Sequence, residues 1–102
     1  MRKYGRVDGN QREIVQAFRQ VGCSVALTHE LGDGFPDLVI GKADRNGRRR
    51  ALLVEIKDGS LPPSKRALTP EEAEFHAQWR GPIAIVHSVE EALALLKKEG
   101  LL

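Results

Sequence analysis

Cysteine occurs once among the 102 residues, at Cys23, so the chain has no internal disulfide and no Cys-based zinc spacing. Aromatic side chains are scarce as well, with one Trp, one Tyr and three Phe, which leaves the core to aliphatic residues. No stretch approaches the ~18 apolar residues a membrane-spanning helix requires. The first residues, "MRKYGRVDGNQREIV", carry basic side chains but lack the apolar segment of a secretory signal. Repeats, low-complexity tracts and long linkers are missing too. A composition 41% hydrophobic and 29% charged is ordinary for a folded domain. The expectation is therefore a single domain over residues 1–102, located in the cytoplasm, with Cys23 as a small buried hydrophobe.

The net charge of +2 conceals an uneven distribution. Residues 42–66 hold eight basic side chains against three acidic ones, and residues 1–12 hold four against one, whereas the remaining segments are net acidic. Blocks such as "RNGRRR" are commonly solvated loops. Beside a carboxylate cluster they acquire another meaning, because a polyanion needs cationic arms while a metal needs the carboxylates.

Hydrophobic periodicity places the elements. Ile14, Ala17, Phe18 and Val21 form the stripe of a helix that begins near Asn10 and stops at Gly22. "SVALTH", "DLVIG" and "ALLVEIK" read as strands, the last two joined by a hairpin turn at Asn46-Gly47. These two runs are apolar on both faces, so the hairpin should be central in its sheet. After the irregular "DGSLPPSKRAL", Thr69, Pro70 and Glu72 open a helix with a capping box, and Phe75 and Trp79 are expected to face inward. "PIAIVH" is a fourth strand, and Ser88 with Glu91 makes a capping box for a last helix with the stripe Val89, Ala92, Leu93 and Leu96. The order α-β-β-β-α-β-α predicts an α/β fold: a mixed sheet of about four strands, the last two parallel, flanked by helices on both faces.

One strand carries "EIK" in an otherwise apolar run. Side chains alternate along a strand, so Glu55 and Lys57 share a face. Burying both costs several kcal/mol per ion unless a partner or a metal compensates. Asp37 starts the neighbouring strand at the same end of the hairpin. A two-residue turn at Asn46-Gly47 would set Asp37 opposite Ile56 and separate it from Glu55. A three-residue loop with a bulge and Gly47 in the left-handed conformation sets Asp37 opposite Glu55, and this register is the one predicted. Two carboxylates facing across a hairpin favour Mg²⁺ or Mn²⁺ over zinc. Such an ion polarises a phosphoryl oxygen and lowers the pKa of water, while Lys57 neutralises charge in the transition state. Neither "IGK" nor the three histidines, His29, His76 and His87, has the spacing of a phosphate loop or a metal-binding motif, and each imidazole is read as satisfied or exposed.

"PD" followed eighteen residues after its Asp by "EIK" resembles the PD-(D/E)xK nuclease signature. With "GFPDLVIG", "LLVEIKDG" and "LTPEEAEFHAQWRG", the chain is similar over roughly residues 8–96 to small stand-alone VRR-NUC and Holliday-junction-resolvase-like nucleases, phage-type proteins included. The resemblance implies the restriction-endonuclease-like α-β-β-β-α-β core and a Mg²⁺-dependent (or Mn²⁺-dependent) endonuclease acting on branched DNA in a bacterial or phage-infected cell. A non-catalytic nucleic-acid-binding module on the same fold is the alternative. The nuclease resemblance implies Asp37 and Glu55 as metal ligands, the main-chain carbonyl of Ile56 as another, and Lys57 as the catalytic lysine. Glu13 on the first helix stands where many resolvase-like members place a further carboxylate; it equally suits a capping box with Asn10, and both readings stay open. Such sequences often have a Gln three residues before an aromatic in the later helix, where this chain has Glu72 and Phe75; that departure leaves a direct role for the helix open, with His76 or Gln78 as the residues that could substitute. His76 and Gln78 are read as surface or supporting groups. Arg48, Arg49, Arg50, Lys65 and Arg66, with Arg2, Lys3 and Arg6, are the expected phosphate contacts. Leu95, Leu101 and Leu102 offer a contact for the homodimer that cutting two strands requires.

Overall fold

The hairpin "LVIGKADRNGRRRALLVEI" organises the molecule. In the computed structural model, which describes residues 8–102, it forms β2 (Leu38–Ala43) and β3 (Arg49–Ile56). Asp44 donates its N–H to the Arg48 carbonyl at 2.8 Å, and Gly47 closes the three-residue loop with a φ of 81°. The Asp44 carboxylate accepts from the Asn46 and Arg48 N–H groups and fixes the turn. Leu38 consequently pairs with Val54 and Ala43 with Arg49, the bulged register expected from the sequence. β1 (Ser24–Leu27) joins the outer edge of β2 antiparallel, and β4 (Ile83–Val86) joins β3 parallel, giving the sheet order β1-β2-β3-β4. The hairpin is central, and the sheet is mixed.

Alternation along β2 and β3 divides the sheet's faces. Leu38, Ile40, Leu52, Val54 and Ile56 are buried on one face with Ile14 and Phe18 of α1 (Gln11–Gln20) and Ala92 and Leu96 of α3 (Val89–Lys98). At about 25 cal/mol per Å² of apolar surface, this cluster is the main source of stability. α2 (Pro70–Gln78), preceded by a 3₁₀ turn at Pro63–Lys65, has no buried residue and reaches the opposite face through polar side chains. Phe75 packs edge-on against Phe35, and Gly34 lets the loop before β2 abut the Glu71 and Glu72 backbone, where any Cβ would clash. Among the described residues, no helix is long and apolar enough to cross a membrane.

Several local expectations are corrected. Asn10 makes no side-chain cap on α1; its amide instead donates to the His87 carbonyl at 3.0 Å and the Lys57 carbonyl at 3.4 Å. Ser88 caps α3 by accepting from the Glu91 N–H, but Glu91 turns to the His87 N–H and ring rather than to Ser88, so the box is half made. Trp79 is 42% exposed and stacks on Phe75 instead of entering the core. Leu101, only 2% exposed, completes the hydrophobic core rather than offering a contact surface, and Leu95 is half-buried against that core. Leu102 alone of the three stays exposed.

Candidate active site at the open end of the hairpin

Continuing the β2–β3 register by one residue sets Asp37 opposite Glu55. Pro36, one step further, falls opposite Ile56. In β3 the Leu53 and Lys57 N–H groups bond to β4, so the alternate residue Ile56 turns its backbone toward β2. Proline has no N–H to give, and the ladder ends there. The Asp37 carboxylate takes the place of a strand by accepting the Ile56 N–H at 2.7 Å. The Ile56 carbonyl, directed at the same proline, is left without a ladder donor. Sequence therefore fixes the opening: "PD" ends the pairing and inserts a carboxylate where it ends.

Glu55 is 1% exposed, and its Oε2 stands 3.9 Å from the Lys57 ammonium. Burial, then the neighbouring Asp37 charge, push the Glu55 carboxyl up to about 10. Burial raises Asp37 too, against its hydrogen bonds to Glu55 and to the Ile56 N–H. Two buried carboxyls this close disfavour one another's charge, so each holds its proton to a higher pH than a free carboxyl does. Lys57 experiences a desolvation cost that opposes its charge, but the hydrogen bond and charge of Glu72, joined by Glu55 and Asp8, outweigh it and raise its pKa. The side chain remains an ammonium, suited to stabilising negative charge and unsuited to removing a proton.

α2 takes a larger part than expected. Glu72 Oε1 accepts from Lys57 Nζ at 2.7 Å and from the Thr69 N–H at 2.9 Å, so one oxygen both caps the helix and holds the lysine. Although burial raises the Glu72 carboxyl, those bonds bring its pKa down overall. One turn later, His76 Nε2 faces Glu55 Oε1 at 3.9 Å. Both atoms are buried and, among the described residues, unpartnered, which corrects the reading of His76 as satisfied or exposed. Burial lowers the His76 pKa and favours the neutral ring. The i, i+4 spacing of Glu72 and His76 was the available signal, hidden because Glu72 already had a role as a cap. Gln78 is exposed and bonds to Glu74.

Glu13 is exposed and is not part of this cluster. With Asp58, Arg66 and His87 it lines an open cleft of about 570 Å³ beside the ends of β3 and β4. The acidic group that reaches the cluster from the start of α1 is Asp8, whose carboxyl burial raises and Lys57 lowers. Nothing in its spacing marked it. Of the basic residues, Arg48, Arg49 and Lys65 are exposed, and Arg66 is half-buried on the cleft wall. Arg50 is tied to the end of α3, its guanidinium donating to the Glu99 carbonyl and to Glu99 Oε1. Arg2, Lys3 and Arg6 lie outside the described residues.

The residues suit a hard divalent cation in several respects. Glu55 and Glu72 flank one ammonium with the charge of Asp8 acting on it; among the described residues a buried Glu55 oxygen lacks a partner, and the proline opposite Ile56 offers its carbonyl no N–H. Among the described residues, no three His, Cys, Asp or Glu side chains are already gathered as an ion-holding group, so backbone oxygen and water would complete the shell. Compared with protein-family models, with curated proteins and with solved structures, the chain finds no match.

Proposed function

We propose that the protein is a divalent-metal-dependent endonuclease that hydrolyses phosphodiester bonds in DNA, with branched DNA as its substrate in the cytoplasm of a bacterial or phage-infected cell. One observation carries the reading: Asp37 and Glu55 face each other where the hairpin opens, both carboxyls raised by burial, with Lys57 on the same face. Stability does not explain that arrangement, since a buried carboxyl pair is costly unless a cation replaces the proton.

Asp37, Glu55 and the Ile56 carbonyl would hold Mg²⁺ or Mn²⁺. When bound, the ion supplies Lewis-acid polarisation of the phosphate and a more acidic water. This chain's own residues do the rest. Asp37, bonded to the Ile56 N–H, keeps the strand end rigid. Lys57 offers its ammonium to the charge that grows on the phosphoryl oxygens, and Glu72 determines where that ammonium points. Arg48 and Arg49 lie six or seven residues along β3 from Glu55, roughly 20 Å away at 3.3 Å per residue. That distance is about six base pairs of duplex, so they would hold backbone remote from the cut.

The direct test is cleavage of labelled four-way junction, flap and linear duplex DNA by wild type, Asp37→Ala and Lys57→Ala, each with Mg²⁺, Mn²⁺ or EDTA. Metal-dependent cutting by wild type alone is expected, with one branched substrate preferred. If all three proteins bind DNA alike and none cuts it, the chain is a binding module on the same fold. A dimer is implied by two-strand cutting alone, and sedimentation with and without junction DNA tests it.

A further inference from the structure

Among the described residues, two buried polar atoms at the site have no partner, and they face each other. Glu55 Oε1 and His76 Nε2 are 3.9 Å apart, too far for a hydrogen bond and too close for a separate group on each. Glu55 is 1% exposed, and the His76 side chain 13%. Leaving a buried donor or acceptor unsatisfied costs on the order of 1–3 kcal/mol, and two placed head to head imply something that serves both. Donors held about 2.1 Å from one ion stand roughly 3.0–3.5 Å apart, so closing this gap takes only a small side-chain rotation. His76 is delivered by α2, anchored one turn earlier through Glu72 to Lys57 and to its own cap.

On the reading of Asp37 and Glu55 as ion-binding carboxylates, we propose that His76 Nε2 is a nitrogen ligand of the same ion and biases the site toward transition-metal divalents such as Mn²⁺ over Mg²⁺. An all-oxygen set favours hard Mg²⁺, which sheds its water reluctantly. One imidazole shifts the balance, because first-row transition ions accept nitrogen far more readily. Glu72 and His76 thereby divide the work of one helix face: the carboxylate orients the lysine, and the imidazole selects the ion.

The test is metal binding itself, without DNA, using Mn²⁺ and Mg²⁺ as probes on wild type, His76→Gln and Asp37→Asn. Pulsed electron paramagnetic resonance of the Mn²⁺ complex should show a directly bound ¹⁴N in wild type that is lost in His76→Gln. Mn²⁺ affinity should fall about tenfold or more in that variant, while Mg²⁺ affinity stays within about threefold. Mn²⁺ bound by wild type with no nitrogen coupling overturns the proposal, and so does a parallel loss of both ions in His76→Gln. Failure of the underlying reading looks different: wild type takes up neither ion, or Asp37→Asn binds Mn²⁺ as well as wild type does. The wild-type spectrum decides the ligand question even if a variant folds poorly.

Discussion

The two faces of the β2–β3 hairpin are built by opposite rules. One face, carrying Leu38, Ile40, Leu52, Val54 and Ile56, is apolar and closed over by α1 and α3. The other carries Asp37, Glu55 and Lys57 and is met by a helix that buries none of its own residues. Strand residues one apart therefore serve different ends, Ile56 filling the core while its neighbours hold unpaired or shared charge. Stability is concentrated on one face, and the polar groups that cost stability lie on the other.

That division can be broken from either side. Phe18→Ala empties the core face and should cost about 3–5 kcal/mol in urea denaturation, with the cleavage rate per folded molecule unchanged. Lys57→Ala should weigh on the other side, lowering turnover about 100- to 1,000-fold and, because Glu72 loses its ammonium, costing only about 1–3 kcal/mol of stability. Glu55→Gln sharpens the contrast. A carboxyl whose folded pKa is raised holds its proton where the unfolded chain has lost it, so its contribution is full below pH ~4.5 and declines as pH rises toward about 10. Without metal, Glu55→Gln should be more stable than wild type at pH 8 by on the order of 2 kcal/mol and no more stable at pH 4, as denaturation at the two pH values would show. The smallest effects belong to the basic residues. Replacing Arg48 and Arg49 together by Ala should reduce the slope of log affinity against log salt by about two, whereas Arg50→Ala, tied to Glu99, should cost under about 1 kcal/mol of stability and leave that slope alone.

Much of this layout was legible in the sequence. Element order and register follow from local signals: periodicity sets the strands, and Gly47 sets the bulge that aligns Asp37 with Glu55. Hidden were the contributions that depend on docking. Glu72 satisfies a capping rule completely and replaces the Gln of similar sequences, and His76 has no metal-binding spacing, so neither residue's part in the cluster is visible until α2 docks. Asp8 stands in a short turn with no period to place it. Glu13 had a helical position that looked right, but its side chain points to a cleft rather than to the pair. Leu95 and Leu101 looked surplus because the last turn of a chain gives no sign of whether it folds back.

The Asn10 side chain joins three remote parts of the chain, bonding across 47 residues to Lys57 and across 77 to His87. Such a clasp cannot close until the parallel strand β4 has joined β3, so the segment around Asn10 is among the last to settle. Long sequence separation slows folding, because the entropy of closing the loop is spent before the contact rewards it. Relaxing Asn10 to Ala should therefore speed unfolding more than it slows refolding, the kinetic signature of a contact made after the rate-limiting step.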